Sequence, residues 1–144
     1  MILYLDTSSL VKLYVEEEGS EQVALLVESA SYCATSIVAY AEARAAFARR
    51  FREQAFTLGD YQQIKSALKK DWSRYVVLAL DFSLATQAGE LAEKYALRGF
   101  DSIHLASAIS LRDQVASPVV FSAWDARLLS AAKAEGLEGW FRIG

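Results

Sequence analysis

Two rhythms of apolar and polar positions run through this chain. Short apolar runs bounded by polar residues read as buried strands, and longer stretches in which apolar residues return every third or fourth place read as helices. Ile2 to Asp6 is the first run, and it ends in a carboxylate followed by the hydroxyls Thr7, Ser8 and Ser9. Ser8 to about Val15 reads as a helix that gives out in Glu16-Glu17-Glu18-Gly19, an acid stretch expected to be a solvated turn. Ser20 is placed to cap a second helix through Val23, Leu26, Val27 and Ala30, and Tyr32 to Ser36 reads as a second strand. Ile37 to about Ala55 is alanine-rich with arginines in its second half, a strong helix with Glu42 embedded in it. Asp60-Tyr61-Gln62-Gln63 predicts a capping box opening a helix to about Tyr75, and Val76 to Leu80 a third strand ended by Asp81. Leu84, Ala88, Leu91, Ala92 and Tyr95 mark the next helix, with Gly99 as its terminator. Asp101 then starts a helix, Ser102 to about Arg112, that is apolar nearly all round and so buried on more than one side. Pro118 stands at the mouth of a fourth strand, Val119 to Ala123. Asp125 opens the last helix through about Glu135, and Trp140 to Ile143 is a candidate edge strand.

Strands alternating with helices predict an α/β/α sandwich whose short, mainly parallel central sheet is flanked by helices, with residues 1–144 forming a single domain. Right-handed crossovers would bring the carboxyl ends of the strands to one rim, the place where open parallel sheets put their ligand sites. Asp6 and Asp125, each just past a strand, both fall there. The composition, 53% hydrophobic and 23% charged with one proline, is that of a soluble globular protein with little room for linkers. Its apolar runs are too short to span a bilayer and no basic leader precedes the first strand, so a cytoplasmic protein without a membrane association is expected. Cys33 is the only cysteine, which excludes an intramolecular disulfide and a thiolate metal cluster; a buried structural thiol is the expectation.

One carboxylate binds a metal poorly and several bind it well, so the useful question is which acids could join Asp6. Glu42 has Val38, Ala39, Ala45 and Ala46 one turn away, and a charge on a small-residue face calls for a partner or a metal. Pairing with Arg49, or simple exposure on the wet side of the helix, would serve equally. Asp101 and Asp125 are each placed either as an N-cap answering a helix dipole or as a ligand. His104, the one histidine, reads as a satisfied core residue on a buried helix. A net charge of −3 argues at first sight against a polyanionic partner. If four acids are gathered on cations, however, the rest of the surface is slightly basic, with Arg44, Arg49, Arg50 and Arg52 on one segment and Lys65, Lys69, Lys70 and Arg74 on the next. Nucleic acid is permitted by charge, not demanded.

Taken together, these residues carry a family resemblance over nearly the whole chain. Leu5-Asp6-Thr7-Ser8 with Leu10-Val11-Lys12-Leu13-Tyr14, Thr35-Ser36 with Glu42 in the following helix, Gly99-Phe100-Asp101-Ser102-Ile103-His104-Leu105-Ala106-Ser107-Ala108, and Phe121 to Leu128 with Asp125 follow in an order and spacing that resemble PIN-domain proteins, in particular VapC toxins of VapBC toxin–antitoxin pairs. The resemblance implies a metal-binding active site of Asp6, Glu42, Asp101 and Asp125, supported by a hydroxyl at Thr7 or Ser8. Relatives carry serine or threonine two places before the last aspartate; here that place is Ala123, with Ser122 one further back.

Hard oxygen donors with no cysteine and one histidine select Mg²⁺ or Mn²⁺ over zinc. The implied activity is endoribonuclease, with metal-activated water hydrolysing RNA to leave a 5′-phosphate and a 3′-hydroxyl. Asp6 and Asp101 would be principal ligands, Glu42 a ligand or orienter of the water, and Asp125 a second-metal or outer-sphere ligand. The resemblance further implies a VapB-like antitoxin as partner and a homodimer. A PIN-fold RNA- or protein-binding module without turnover is the alternative. A receiver-type signalling domain is a more distant one, since Asp81 ends a strand but no lysine follows Ala123.

Overall fold

The computed structural model describes residues 1–139. Five strands, β1 (Ile2–Leu5), β2 (Tyr32–Ser36), β3 (Val76–Leu78), β4 (Val119–Ser122) and β5 (Glu138–Gly139), form one sheet in the order β3-β2-β1-β4-β5. Every described pairing is parallel. The helices are α1 (Thr7–Lys12), α2 (Ser20–Ser29), α3 (Val38–Arg52), α4 (Leu58–Trp72), α5 (Phe82–Tyr95), α6 (Gly99–Gln114) and α7 (Ala126–Ala134). The candidate edge strand at Trp140 to Ile143 lies outside the described residues.

The sandwich follows from the two-residue period of β1. Its alternate side chains leave the strand on opposite faces. Ile2 and Tyr4 join Ala34, Phe121 and the apolar sides of α5, α6 and α7 in one core, while Leu3 and Leu5 join Leu10, Val23, Phe47 and Leu68 from α1 to α4 in another. All four β1 side chains are buried, which places this strand at the centre of the sheet and explains its unbroken apolar run. Helix α6 is buried on more than one side as its composition predicts: Leu105, Ala106, Ala108 and Ile109 are all inaccessible or nearly so.

Several boundaries differ from the sequence expectation, each for a local reason. Helix α4 starts earlier, because Thr57 rather than Asp60 is its N-cap and the Thr57 hydroxyl accepts the Asp60 N–H. Helix α5 is closed not by Gly99 but by Ala96, which takes the left-handed conformation at φ 54°. That frees Gly99 to open α6, with Arg98 as its N-cap residue, and so moves Asp101 from the cap into the first turn. Strand β3 stops at Leu78, short of Leu80. In the acid stretch, Glu16 and Glu18 are exposed as expected, but Glu17 is tied to Lys12 at 3.1 Å and Arg50 at 2.6 Å. Cys33 is half-buried, packed against the second core, and burial pushes its thiol pKa up.

Order β3-β2-β1-β4-β5 means that the chain leaves β1 in one direction and later returns to its other side. The crevice beyond the carboxyl ends of β1 and β4 is therefore a topological switch point, the natural ligand position of an open parallel sheet. Asp6 follows β1, its N–H bonded to the Ser122 carbonyl at the end of β4, and Asp125 lies three residues past that strand.

Candidate active site

At this switch point a cleft of about 370 Å³ is lined by Asp6, Thr7, Ser8, Glu42, Arg98, Asp101, His104, Trp124 and Asp125. The four acids arrive from the end of β1, the first half of α3, the first turn of α6 and the cap of α7. Nothing local links them; the fold alone makes them neighbours.

Each acid is held differently. Asp6 is only 4% exposed and N-caps α1, and its Oδ1 takes both the Ser9 N–H at 2.9 Å and the Ser8 hydroxyl at 2.7 Å. Burial raises its pKa, the nearby His104 ring and the Ser9 and Ser8 donors offset only part of that rise, and the charge of Asp101 adds to it. Asp125 caps α7 through Oδ1 and the Leu128 N–H at 2.9 Å. Asp101 accepts from Arg98 Nε at 3.0 Å, across an arginine whose side chain is 81% exposed. A cap and a ligand are thus not exclusive roles, since one oxygen of Asp6 or Asp125 can cap while the other faces the cleft.

Glu42 is neither paired with Arg49 nor simply solvated. Its Oε1 accepts the Thr7 hydroxyl at 2.5 Å and lies 3.2 Å from His104 Nε2. Burial raises the Glu42 pKa, but the hydrogen bonds from His104 and Thr7, together with nearby positive charge including Arg98, outweigh it and hold the carboxyl below its ordinary range. The two hydroxyls after Asp6 therefore divide the work: Ser8 serves Asp6 and Thr7 serves Glu42.

His104 is the satisfied core residue the sequence suggests, 2% exposed, yet its partners belong to the site. Nδ1 meets the Tyr4 hydroxyl at 2.8 Å and Nε2 meets Thr7 Oγ1 at 2.9 Å as well as Glu42.

Among the described residues, no three His, Cys, Asp or Glu side chains stand close enough to ligate one ion by themselves. The donor set nevertheless suits a hard cation that keeps several waters and binds through one or two carboxylates plus substrate phosphate. Asp6 in particular is a buried carboxylate with two neutral donors on one oxygen and the His104 ring nearby, and a bound cation would offset the burial of its charge.

Residues 3–118 match the PIN domain family. The chain is a PIN-domain protein. It is 33% identical over 135 residues to Ribonuclease VapC45 of Mycobacterium tuberculosis (strain CDC 1551 / Oshkosh), a span of 94% of this chain and 92% of that protein, and so belongs with the VapC-type members. The same fold is seen in VapBC2 from Rickettsia felis, solved bound to a DNA fragment from their promoter (TM-score 0.65, 17% identity, 97% of this chain and 99% of that one). FitAcB from Neisseria gonorrhoeae is equally similar (TM-score 0.65, 17% identity, 96% of each chain). A receiver-type domain is thereby overturned, and Asp81 is a cap, its Oδ1 accepting the Leu84 N–H at 2.8 Å.

In this PIN domain the hydroxyl of Ser122 does not serve the cleft. It is buried against Ser9 Oγ at 2.8 Å beneath α1, and Ala123 is buried too. Sequence reasoning passed over three cleft residues: Arg98, Trp124 and the site-facing side of His104. Trp124 stands directly before Asp125 and holds Lys12 over its ring at 5.0 Å. Its place next to a candidate ligand was the available signal. For Arg98 the signal was the three-residue spacing to Asp101 across a helix start.

Proposed function

We propose that this PIN protein is a metal-dependent endoribonuclease, the toxin of a type II toxin–antitoxin pair, with residues 1–144 acting as one domain. The observation that carries the proposal is the convergence of Asp6, Glu42, Asp101 and Asp125 from four separate elements on one cleft at the sheet's switch point. The ribonuclease name of the VapC relative and a toxin-antitoxin complex from Klebsiella pneumoniae among the structural neighbours support the reading. RNA is the substrate, a VapB-like antitoxin and a second copy of the chain are the partners, and the compartment is the cytoplasm. No described helix is long and apolar enough to cross a membrane.

Asp6 and Asp101 are the principal ligands for Mg²⁺ or Mn²⁺, and Asp125 is a second-metal or outer-sphere ligand. Bound there, the cation would supply Lewis-acid chemistry, lowering the pKa of an attacking water and stabilising the leaving oxygen. The chain's own residues prepare the ground. Ser8 and the Ser9 N–H fix the Asp6 carboxylate. Thr7 and His104 keep Glu42 anionic, with both of their bonds on Oε1, so that Oε2 is the oxygen left to orient a ligand water. Arg98 is the cation on the cleft wall, able to pair with phosphate once it leaves Asp101. A metal-free route by 2′-hydroxyl attack would need a general base and acid, and the one imidazole present is committed to Tyr4, Thr7 and Glu42.

The test is incubation of antitoxin-free protein with 5′-labelled and 3′-labelled RNA, in Mg²⁺, in Mn²⁺ and in chelator, alongside Asp6→Asn. The expected result is cleavage that needs both metal and Asp6 and leaves 5′-phosphate ends. Cleavage insensitive to chelator or to Asp6→Asn overturns the mechanism; tight RNA binding with no cleavage of any RNA moves the reading to a binding module.

A further inference from the structure

We propose that His104 is a positioning residue for the site: through Thr7 and directly, it fixes the carboxylate of Glu42 in the orientation that metal and water require. The proposal rests on the nuclease reading above and adds to the acids a buried imidazole outside them.

A Glu side chain has three rotatable bonds, and ordering them carries one of the larger side-chain entropy costs. Glu42 projects from α3, and its side chain is 25% exposed, so packing alone does not fix it. What fixes it is a pair of donors from other elements, Thr7 at the start of α1 and His104 one turn into α6, both on Oε1.

Their hydrogens can be assigned. Burial raises the Tyr4 pKa well above its ordinary value, so its hydroxyl keeps its proton and can donate to Nδ1. Nε2 then carries the imidazole hydrogen and faces two acceptors, Glu42 Oε1 and Thr7 Oγ1. The single Thr7 hydrogen goes to the carboxylate, and the Thr7 oxygen is free to accept from Nε2. With Nδ1 as the acceptor, the circuit Tyr4, His104, Thr7, Glu42 closes without an unsatisfied member, the condition under which a buried polar network rigidifies rather than weakens a fold.

The imidazole is itself held. Tyr4 lies on the central strand, stacked on Phe121 with ring centroids 5.6 Å apart, and meets the His104 ring edge-on at 5.8 Å. Orientation therefore passes from the sheet, through Tyr4 and His104, to Glu42. A core histidine needing only its own satisfaction would be content with Tyr4 and any one acceptor. This one spends Nε2 on the site carboxylate and on the hydroxyl that the carboxylate shares.

The experiment uses the full chain, free of antitoxin, as wild type, His104→Gln, His104→Asn and Tyr4→Phe, with three readouts: thermal unfolding in chelator, Mn²⁺ affinity of the RNA-free protein by calorimetry, and kcat and KM for RNA cleavage. A Gln amide nitrogen can reach the place of Nε2; an Asn amide reaches only that of Nδ1. His104→Asn is expected to lose about 10–100-fold in kcat and in Mn²⁺ affinity, the usual cost of removing a residue that orients a metal ligand, with KM for RNA within about twofold. His104→Gln is expected to recover most of that loss even if both variants melt alike, and Tyr4→Phe to fall between them. The proposal is overturned if His104→Asn keeps wild-type kcat and Mn²⁺ affinity, or if the Gln and Asn variants lose both in step with their melting temperatures. Failure of the nuclease reading looks different: the wild type itself then cleaves nothing, and the order of Mn²⁺ affinities among the variants still decides the role of His104.

Discussion

Asp6→Asn is expected to abolish RNA cleavage while raising the melting temperature of the metal-free protein. Asp6 is 4% exposed, and its charge is answered by the nearby His104 ring and by the Ser8 hydroxyl and the Ser9 N–H, both on one oxygen. Burial raises its pKa, and each unit by which a folded carboxyl rises above its unfolded value costs about 1.4 kcal/mol at neutral pH. Asparagine caps a helix as well as aspartate, so the bond from Ser9 survives, and the lost charge–dipole attraction on the short α1 offsets only about 0.3–1 kcal/mol. Each 1 kcal/mol of net gain corresponds to roughly 3–4 °C for a chain of this size.

The sign with pH is fixed by linkage. An acid whose folded pKa is raised binds more protons folded than unfolded, so its contribution to stability falls as pH rises from the ordinary aspartate value through the folded value. The advantage of Asp6→Asn is therefore expected to be full above the raised pKa and to vanish below about pH 4. Adding Mn²⁺ to tenfold its dissociation constant stabilises wild type by about 1.4 kcal/mol and leaves the variant unmoved, so the order of melting temperatures closes or inverts. Scanning fluorimetry in chelator at several pH values and then in Mn²⁺ covers all three statements. A variant that melts below wild type in chelator at neutral pH, or a difference independent of pH, refutes the buried-charge argument.

Glu42→Gln should behave oppositely. The Glu42 pKa is held low, so its stabilisation is present above the ordinary glutamate value and lost as pH falls through the folded one; the variant is expected to lose about 0.5–1.5 kcal/mol at neutral pH and much less in acid, read by the same melts. Arg98→Met removes an exposed ion pair and is expected to leave the melting temperature unchanged, while freeing Asp101 so that Mn²⁺ binds several-fold tighter and RNA binds more weakly; calorimetry and RNA binding in an Asp6→Asn background measure the two. At Gly19, φ is 95° and an added Cβ would come within 2.6 Å of the Trp124 ring, so Gly19→Ala is expected to cost about 2–3 kcal/mol and to disturb the cleft wall, lowering cleavage more than Mn²⁺ affinity.

The sequence by itself determined what depends on neighbours along the chain. The apolar run Ile2 to Leu5 ending at Asp6, and Val119 to Ser122 followed by Asp125, are strand-then-cap patterns, and both aspartates cap the helices that follow. Alternation of strands and helices implied the sandwich, and the order of motifs implied the PIN family. Tertiary structure decided what depends on which faces meet. That Asp101 sits inside α6 follows from where α5 closes at Ala96, a left-handed alanine that propensity argues against. That Ser122 turns into the core toward Ser9 is set by the pairing of β1 with β4. And Glu42 meets Thr7 across 35 residues and His104 across 62, contacts on which periodicity is silent. Hydrophobic spacing says only which side of a helix is buried; the packing of α1 on α3 and of α6 on β2 and β4 decides which polar groups that burial brings together.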